Sequence, residues 1–566
     1  MVLVRQDGTI MMDETSRETD EVKECFPKRG RRGWPYTPHV IIFFSSACIM
    51  VVELVAGRLI ARHLGSSLYT WTSIIGVVLA GMSIGNYLGG RMADRYNPER
   101  SLGLLFLGAS LSCVLSLYLN NLVGESQQHW DMMFPFRVIL SALFIFILPA
   151  LALGTISPAT AKMALDRSQR VGSTIGSVYA WGAIGSILGT FATGFFLIAA
   201  LGSKGVVLLI AMGLGFIGLC LGPWRILQAL WVLLIGVFFW LSQSGSFISF
   251  QLACDYGLQE GQRKKISEEG RTYWERYLFC RDGNYQFVKV YEDKSDDNRS
   301  FRTLVLDYLI HGYYDVSDPR DIRYSYEKVY AEMARIFVGE KKGISAFFLG
   351  GGAYTFPRWI HANWSDATCD VAEIDPLVLE ANHAAIDLDR NTKIRTYVMD
   401  ARIVVDELPP DRLYDMIIGD AFTDLSIPYH LTTVEFQQKL ANRLKPDGVL
   451  LQNVIDDFGK AGYFLGAYML TLKQVFKHVY IFCTGRYDVS MQPDTFVLVA
   501  FNTDDPVLHE GIQKFHGGHG LGLEASLLNE HHMSQLASRC KNRILTDDNA
   551  PVENLIEPVV RTRGKS

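Results

Sequence analysis

The sequence has no excess of positive charge and no paired cysteine motif. Its 54 Lys and Arg residues are outnumbered by 59 Asp and Glu residues, which gives a formal net charge of −5 at pH 7. Nucleic-acid-binding domains present a basic surface, so we expect no nucleic acid partner. The nine cysteines are scattered without a Cys-x-x-Cys pair, which argues against a zinc ribbon or a disulfide-rich scaffold.

Charged residues are scarce in one half of the chain. Residues 39–243 are very apolar, whereas residues 255–566 have the charge density of a soluble globular domain. A membrane helix needs about 20 apolar residues, so the first region predicts an α-helical multi-span membrane domain with about seven helices. The predicted spans are roughly 39–60, 71–90, 102–122, 137–160, 173–200, 205–222 and 226–243.

Lys and Arg residues near the ends of the spans indicate the orientation, because they are enriched in cytoplasmic loops. The N-terminal side has Lys28, Arg29, Arg31, Arg32, Arg91, Arg95, Arg100, Lys162, Arg167, Arg170 and Arg225. The other side has Arg58, Arg62, Arg137 and Lys204. We therefore expect a cytoplasmic basic segment at 1–38. Seven spans place the soluble half on the extracytoplasmic side, and one span fewer reverses this.

Several features of the apolar half are found in transporters. The segment Gly90–Arg95 resembles the loop between spans two and three of major facilitator transporters, so the region is MFS-like there. Gly81 and Gly85, like Gly185 and Gly189, have the spacing that lets helix backbones approach closely in lipid. Glu53 lies in the first span, where a charge faces either an ion-pair partner or a substrate pathway. The region is thus predicted to be an anchor or a transporter.

Strands and helices alternate in the soluble half, a pattern typical of a parallel sheet. Apolar strand segments are expected at 345–349, 368–372, 394–399, 414–419 and 448–453, with later strands at about 478–483 and 495–501. Before them, strands at 285–291 and 303–307 and a helix at about 324–338 are expected. The sequence predicts a transmembrane domain at 39–243, a small β-rich domain at 254–335 and a Rossmann-like, methyltransferase-type α/β domain at 336–566.

Glycines and acidic residues follow four successive predicted strands. They are Gly350, Gly351, Gly352, Glu373, Asp375, Asp400 and Asp420. Ligands of open parallel sheets bind at this carboxyl edge, where glycines admit a ligand to the backbone and an acid after the second strand suits a ribose diol. The consecutive glycines do not match G-x-G-x-x-G, which argues against a nicotinamide cofactor.

From about residue 280 to 560 the chain resembles the spermidine synthases, which are polyamine aminopropyltransferases. It is most similar to their membrane-fused relatives, described as fused transporter-like (MFS)/spermidine synthase proteins. The matching segments are Tyr285-Gln286, Leu306-Asp307, Gly350–Gly352, Glu373-Ile-Asp375, Asp400-Ala401, Tyr414–Asp420, Leu444–Gly448 and Leu545–Glu553. The resemblance implies an integral protein of a bacterial inner (plasma) membrane.

The resemblance implies transfer of an aminopropyl group from decarboxylated S-adenosylmethionine to a diamine such as putrescine, with release of methylthioadenosine. An alkyl amine has a pKa near that of lysine, about 10.4, so it must lose a proton before it attacks carbon. A carboxylate can bind the ammonium group and accept that proton. By its position in the motif, Asp420 would be this catalytic base.

The resemblance also assigns roles to other positions. Glu373 would hold the ribose hydroxyls, and Asp400 with Ala401 would hold the adenine amino group. Gln286 and Tyr285 would line the donor or acceptor pocket.

Four further positions follow from the resemblance. Asp307 and Asp424 would contact the acceptor, although Asp424 lies one residue further from Asp420 than the family spacing. Either Tyr326 or Tyr330 matches a helix tyrosine of the acceptor site, and the spacing leaves both open.

One departure from the family pattern keeps alternatives open. Ala353 replaces an aspartate that helps to hold the propylamine nitrogen of the donor, so intact S-adenosylmethionine remains an alternative donor. Arg358 is then either a partner for its carboxylate or a surface residue. Two other functions remain: another S-adenosylmethionine-dependent transferase or lyase, and a transporter with an adenosyl-ligand-sensing domain.

The histidines near the predicted cleft do not form a metal-binding pattern. His311 and His430 lie near the predicted cleft in sequence but lack the clustered partners of a metal site, so no metal is expected. The expected partners are the lipid bilayer and a small polyamine substrate, with a homodimer left open.

Overall fold

The structure is a computed structural model. It describes residues 37–65, 68–126, 130, 132, 134–168, 170–222, 225–243, 263–268, 271–283, 285–294, 299–422, 427–459, 461–484, 494–515 and 525–562. The predicted contact at Asp424 and nearly all of the basic segment 1–38 lie outside these residues.

Helices make up the described N-terminal region. They are α1 Thr37–Leu64, α2 Leu68–Arg95, α3 Pro98–Ser126, α4 Phe134–Asp166, α5 Val171–Ala192, α6 Ile198–Leu221 and α7 Arg225–Gln243. A π-helical turn joins α5 to α6, and α6 is interrupted at Gly202, where φ is +67°. Among the described residues, six helices are long and apolar enough to cross a membrane, but the apolar stretch of α7, Arg225–Trp240, is shorter. The expected number of seven spans is therefore not matched exactly.

Glycines set the packing of the helices, as their spacing indicated. A Cβ atom on Gly85 of α2 would lie 2.3 Å from the carbonyl oxygen of Leu151 in α4. A Cβ atom on Gly185 of α5 would lie 2.2 Å from the carbonyl oxygen of Phe43 in α1. Because only glycine fits at such contacts, these helix pairs pack backbone against backbone.

The bundle has two chemically different ends. At the end where α1 begins, the loops contain the cluster Arg91, Arg95, Arg100, Lys162, Arg167, Arg170 and Arg225. The ion pair of Arg167 with Glu99, at 2.6 Å, lies at this end. At the opposite end α1 finishes, α2 begins and the chain reverses at Gly202. The rest of the protein contacts the bundle at this second end.

A five-stranded antiparallel sheet follows the helices. Its strands pair in chain order: β1 Arg263–Glu268, β2 Arg271–Asp282, β3 Phe287–Lys294, β4 Ser300–Leu306 and β5 Leu309–Asp315. The turn from β4 to β5 places Asp307 at φ +52°. The Asp307 carboxylate accepts a hydrogen bond of 3.0 Å from the backbone N–H of Phe287, which ties this turn to the start of β3.

The larger sheet has eight strands in the part of the chain that the structure describes. They are β6 Ser345–Leu349, β7 Thr368–Glu373, β8 Ile394–Val398, β9 Tyr414–Gly419, β10 Leu444–Asp456, β11 His478–Cys483, β12 Asp494–Phe501 and β13 Ser526–Leu527. Their order is β13-β11-β12-β10-β9-β6-β7-β8. The five strands from β8 to β10 are parallel, whereas β11, β12 and β13 are antiparallel. The sheet is therefore mixed rather than purely parallel.

Helices accompany the larger sheet. They are α8 Ser325–Val338, α9 Thr355–Asn363, α10 Pro376–Ala385, α11 Ala401–Glu407, α12 Val434–Ala441, α13 Tyr463–Leu472, α14 Pro506–Gln513, α15 Glu530–Arg539 and α16 Val552–Thr562. Helix α8 packs against β9, β10 and β12. The chain runs from β6 through β7 to β8 and then returns to β9 on the other side of β6. This reversal opens a crevice beside the carboxyl ends of β6 and β9.

Candidate active site

A cavity of about 820 Å³ lies at the carboxyl ends of the central strands. The acidic residues that line it are Asp307, Glu327, Glu373, Asp400, Asp420 and Glu553. Among the described residues that line the cavity there is no lysine or arginine. Opposite charges favour each other's ionised forms, so this cavity suits a cationic ligand and disfavours an anionic one.

The three glycines form the floor of the cavity after β6. Gly350 has φ of +95°, and a Cβ atom there would lie 2.6 Å from the carbonyl oxygen of Asp420. A side chain at this position would therefore force β6 and β9 apart. The backbone N–H of Gly351 donates a hydrogen bond of 2.9 Å to Oε2 of Glu373. Main-chain atoms of the three glycines thus line this part of the cavity, so a flat ligand can approach the backbone closely.

The two acids after β7 have different surroundings. Glu373 lines the cavity, and its Oε1 accepts a hydrogen bond of 2.9 Å from the N–H of Asp375. Burial raises the pKa of Glu373, although these backbone donors oppose the effect. Asp375 does not line the cavity. Its Oδ1 accepts from the N–H of Leu377 at 2.9 Å and caps α10, while its Oδ2 has no hydrogen-bond partner among the described residues.

Asp400 connects two cavity-lining elements. Its Oδ1 accepts from the N–H of Arg402 at 2.9 Å, which caps α11, and its Oδ2 lies 2.9 Å from Nε2 of His430. Ala401 lines the cavity beside it. His311 also lines the cavity, and burial lowers its pKa to about 4. No cluster of metal-ligating side chains occurs in the part of the chain that the structure describes.

Asp420 follows β9 and lines the cavity. Its backbone N–H donates to the carbonyl oxygen of Leu349 at 3.0 Å, which fixes it beside the glycine turn. Burial raises the pKa of the carboxyl group to about 6, although hydrogen bonds from Asn453 and Tyr326 oppose the shift. The Asn453 bond measures 2.8 Å. A carboxyl group with this pKa can accept a proton near neutral pH.

Helix α8 contributes one wall. Both tyrosines that the sequence left open, Tyr326 and Tyr330, line the cavity, with ring centroids 5.5 Å apart. Burial raises the pKa of both phenols. The structure brings both tyrosines to Asp420 rather than selecting one.

Glu327 is a cavity residue that was not expected from the sequence. This side chain lines the cavity and is only 5% exposed. Its Oε2 has no hydrogen-bond partner among the described residues. Burial, followed by the negative charge of Asp420, raises its pKa well above the usual value. The available signal was helical spacing, because residues 326, 327 and 330 share one face of a helix.

The small sheet and the helical bundle complete the cavity. Tyr285, Gln286 and Asp307 line it from the small sheet. Gly65 and Trp71, at the ends of α1 and α2, line it from the bundle. Hydropathy identifies the helices but does not show which helix end meets the site, so no sequence pattern indicates that Gly65 and Trp71 belong to it.

Arg358 differs from both roles expected for it. Its guanidinium group donates to the carbonyl oxygens of Ala353 at 2.6 Å and Ile386 at 2.8 Å. It also stacks 3.4 Å from the ring centroid of Tyr314. The residue is buried and does not line the cavity. Its donors hold the backbone below the glycine turn, so it is neither a surface residue nor a partner for a ligand carboxylate.

The chain is similar to known enzymes over part of its length. It is 29% identical over 141 residues to a polyamine aminopropyltransferase of Vibrio vulnificus, a match that covers 25% of this chain and 46% of that protein. It is 33% identical over 138 residues to an N-terminal histidine N-methyltransferase of Emericella nidulans, covering 24% of each chain. The matches thus span less than half the length of these relatives. No protein-family model matches the chain.

A solved structure is similar to the C-terminal part. A probable spermidine synthase from Corynebacterium glutamicum shares 20% sequence identity with this chain, at a TM-score of 0.42. The match covers 49% of this chain and 98% of that one.

Proposed function

We propose that this protein is a membrane-bound aminopropyltransferase that acts on a diamine. The observation that carries the proposal is the acidic cavity around Asp420, whose described lining includes six acidic side chains and no lysine or arginine. Decarboxylated S-adenosylmethionine carries a sulfonium and an ammonium group, and a diamine carries two ammonium groups. A cavity of this charge fits both substrates.

In the proposed complex the adenosyl part of the donor lies along the glycine turn. Glu373 accepts hydrogen bonds from the ribose hydroxyls, while Asp400 and the neighbouring Ala401 contact the adenine. Tyr285 and Gln286 close the cavity from the small sheet. These assignments are supported by the common position of all five residues in the cavity lining.

Asp420 would bind the acceptor amine and take its proton. The nitrogen lone pair then attacks the aminopropyl carbon, the carbon–sulfur bond breaks, and its electron pair stays on the sulfur of methylthioadenosine. A base with a pKa of about 6 is mostly ionised at neutral pH. Holding the nitrogen in line with the carbon lowers the barrier further.

Transfer from intact S-adenosylmethionine is the second candidate. Ala353 favours it, because the alanine removes the family's ligand for the propylamine nitrogen. The acidic lining opposes it, since the methionyl carboxylate would meet no cation among the described residues of the cavity, and Arg358 is engaged elsewhere. Glu327 adds a further buried carboxyl group to the lining, which we assign to the second ammonium group of the diamine.

The test is product analysis by mass spectrometry. The detergent-purified full chain is incubated with decarboxylated or intact S-adenosylmethionine, with and without putrescine. We expect methylthioadenosine and spermidine from the decarboxylated donor, and neither product from Asp420→Asn. Turnover of intact donor alone would instead support the second candidate, and adenosyl binding without any turnover would favour a sensing domain.

We further propose that α7 also crosses the membrane and that the α/β region lies on the extracytoplasmic side. The support is geometric: the small sheet meets the bundle at the end opposite the Arg-rich loops, and such loops are enriched in the cytoplasm. C-terminal fusions to alkaline phosphatase and to green fluorescent protein test this. Phosphatase activity without fluorescence is expected, and the reverse result would place the domain inside.

A further inference from the structure

The contact between the helical bundle and the small sheet is built around Asp282. This residue ends β2 and is almost fully buried. Its Oδ2 lies 2.9 Å from Nη2 of Arg62, and its Oδ1 lies 3.3 Å from Nη2 of Arg58. The backbone N–H of Ser203, next to the chain reversal in α6, donates to Oδ2 at 2.7 Å. Both carboxylate oxygens are therefore held by groups of the bundle.

The ion pairs with Arg62 and Arg58 determine the direction in which the pKa of Asp282 is shifted. Burial alone would raise its pKa, but the positive charges of Arg62 and then Arg58 outweigh burial and lower it. The carboxylate is therefore ionised at neutral pH and attracts both guanidinium groups. An arginine fork suits such a contact because its geometry is rigid and its charge is permanent.

The same arginines hold the turn between β2 and β3. Arg58 donates hydrogen bonds to the backbone carbonyl oxygens of Gly283 and Tyr285. The Arg62 guanidinium group lies 4.2 Å from the ring centroid of Phe287, the first residue of β3. The two arginines of α1 thus contact this turn at its beginning and its end.

Helix α10 also packs closely against this turn. A Cβ atom on Gly283 would lie 2.8 Å from a methyl carbon of Leu377 in α10, so a side chain at this position would push the turn and α10 apart. The backbone N–H of Gly283 donates to the carbonyl oxygen of Gln286 at 3.0 Å. Tyr285 and Gln286 point from this clamped turn into the cavity lining.

We propose that Arg58 and Arg62 are positioning residues of the active site, which hold Tyr285 and Gln286 against the bound substrate. The helical bundle is then a part of the enzyme rather than only an anchor. This inference rests on the proposed function for its kinetic readout. It predicts a change in substrate affinity at a distance from Asp420, with little change in the chemical step.

The test compares variants of the purified full chain in detergent. Arg58→Lys keeps the positive charge but loses the fork that reaches Asp282 and two carbonyl oxygens. We expect KM for both substrates to rise about tenfold, with kcat within about threefold of the wild type. The dissociation constant of methylthioadenosine, measured by calorimetry, is expected to rise by a similar factor. Arg62→Ala is expected to act in the same way, and Arg62→Lys to restore part of the loss.

Arg91→Ala is the matched control, because Arg91 lies at the other end of the bundle beside Tyr87. It should leave KM, kcat and the methylthioadenosine affinity unchanged. Unchanged values in both Arg58→Lys and Arg62→Ala would overturn the inference, as would a loss confined to kcat. If Arg62→Ala fails to fold, the KM and the methylthioadenosine affinity of Arg58→Lys alone test the positioning role.

The two proposals fail in different ways. A wild type that binds methylthioadenosine but makes no aminopropyl product contradicts the proposed function. In that case the variants still decide the positioning role through the dissociation constant alone. A wild type that binds no adenosyl compound overturns both proposals.

Discussion

The interface with the helical bundle and the cavity beside β9 each bury an aspartate, but with opposite partners. Asp282 meets two guanidinium groups within 3.3 Å, and its pKa is lowered. Asp420 receives hydrogen bonds from Asn453 and Tyr326, and burial raises its pKa to about 6. The first carboxylate is compensated within the folded chain, whereas the second carries a charge that a cationic ligand can compensate.

This difference separates a structural carboxylate from one that can bind a cationic ligand. A buried charge is costly unless it is paired, so the cavity acids are held at the expense of stability. Glu327 shows the same property, since its buried Oε2 has no hydrogen-bond partner among the described residues. The comparison predicts that matched substitutions at the two aspartates have opposite effects on stability.

The largest effect is expected from Asp420→Asn on catalysis. General-base catalysis contributes about 10²–10⁴-fold, so kcat/KM should fall about 1,000-fold when the amide can no longer take the proton. Methylthioadenosine formation followed by mass spectrometry measures this. Asp415→Asn is a control at the other end of β9, where Asp415 pairs with Lys445 at 2.7 Å. Equal losses in both variants would show that folding, not proton transfer, is affected.

Thermal unfolding of the two asparagine variants tests whether the two aspartates have opposite effects on stability. Asp282→Asn leaves two arginines without their carboxylate, and breaking a buried ion pair costs about 3–5 kcal/mol, so its Tm should fall. Asp420→Asn should raise the Tm of the ligand-free protein. Because the pKa of Asp420 is raised in the folded state, its ionised form lowers the stability of the wild type. Asparagine removes this cost, so the gain in Tm is largest above pH 6 and vanishes below about pH 4. Tm changes of the same sign would contradict the comparison.

Glu327→Gln tests the second cavity acid. Loss of a charge-assisted hydrogen bond to an ammonium group is worth about 1.5–3 kcal/mol, so KM for a diamine should rise about 10- to 100-fold. A monoamine acceptor of similar length, which lacks the second ammonium group, should show a smaller change. Glu332→Gln is the matched control, because Glu332 is buried on the same helix but pairs with Arg335 at 2.5 Å. Its KM values should stay near those of the wild type.

The smallest effect is a pH dependence. The pKa of about 6 for Asp420 predicts that kcat/KM falls below pH 6, by about tenfold for each further pH unit, as the base becomes protonated. The acidic limb is measured at constant ionic strength. It should be absent from the residual activity of Asp420→Asn and present in Arg58→Lys. A wild-type profile that is flat from pH 5 to 7 would exclude Asp420 as the titrating base.

Short-range patterns were sufficient for most of the larger sheet. Strands β6, β9 and β11 have the expected bounds. For β6 and β9, an apolar run that ends at glycine or aspartate specifies both the strand and its end. The antiparallel pairing of β12 was not predicted, since strand direction depends on where the chain returns. The role of Asp375 was available in the sequence, because Asp-Pro at a helix start is a capping signal.

Long-range contacts were beyond the sequence. The first span was expected to end near residue 60, but α1 continues to Leu64. From the sequence alone, the arginines of α1 resemble the charges that flank a membrane helix. Nothing in the local pattern links Arg62 to Asp282. The number of spans differs because the apolar stretch of α7 among the described residues, Arg225–Trp240, is shorter than those of the other six helices.

The Arg62–Asp282 contact joins residues separated by 220 positions in the chain, which has a consequence for biosynthesis. A ribosome that adds about 5–20 residues per second makes Asp282 roughly 10–45 s after Arg62. The bundle can therefore be inserted and packed before the small sheet exists. The turn that presents Tyr285 and Gln286 then closes onto a surface that is already formed, so the helices act as a template for the last step of assembly.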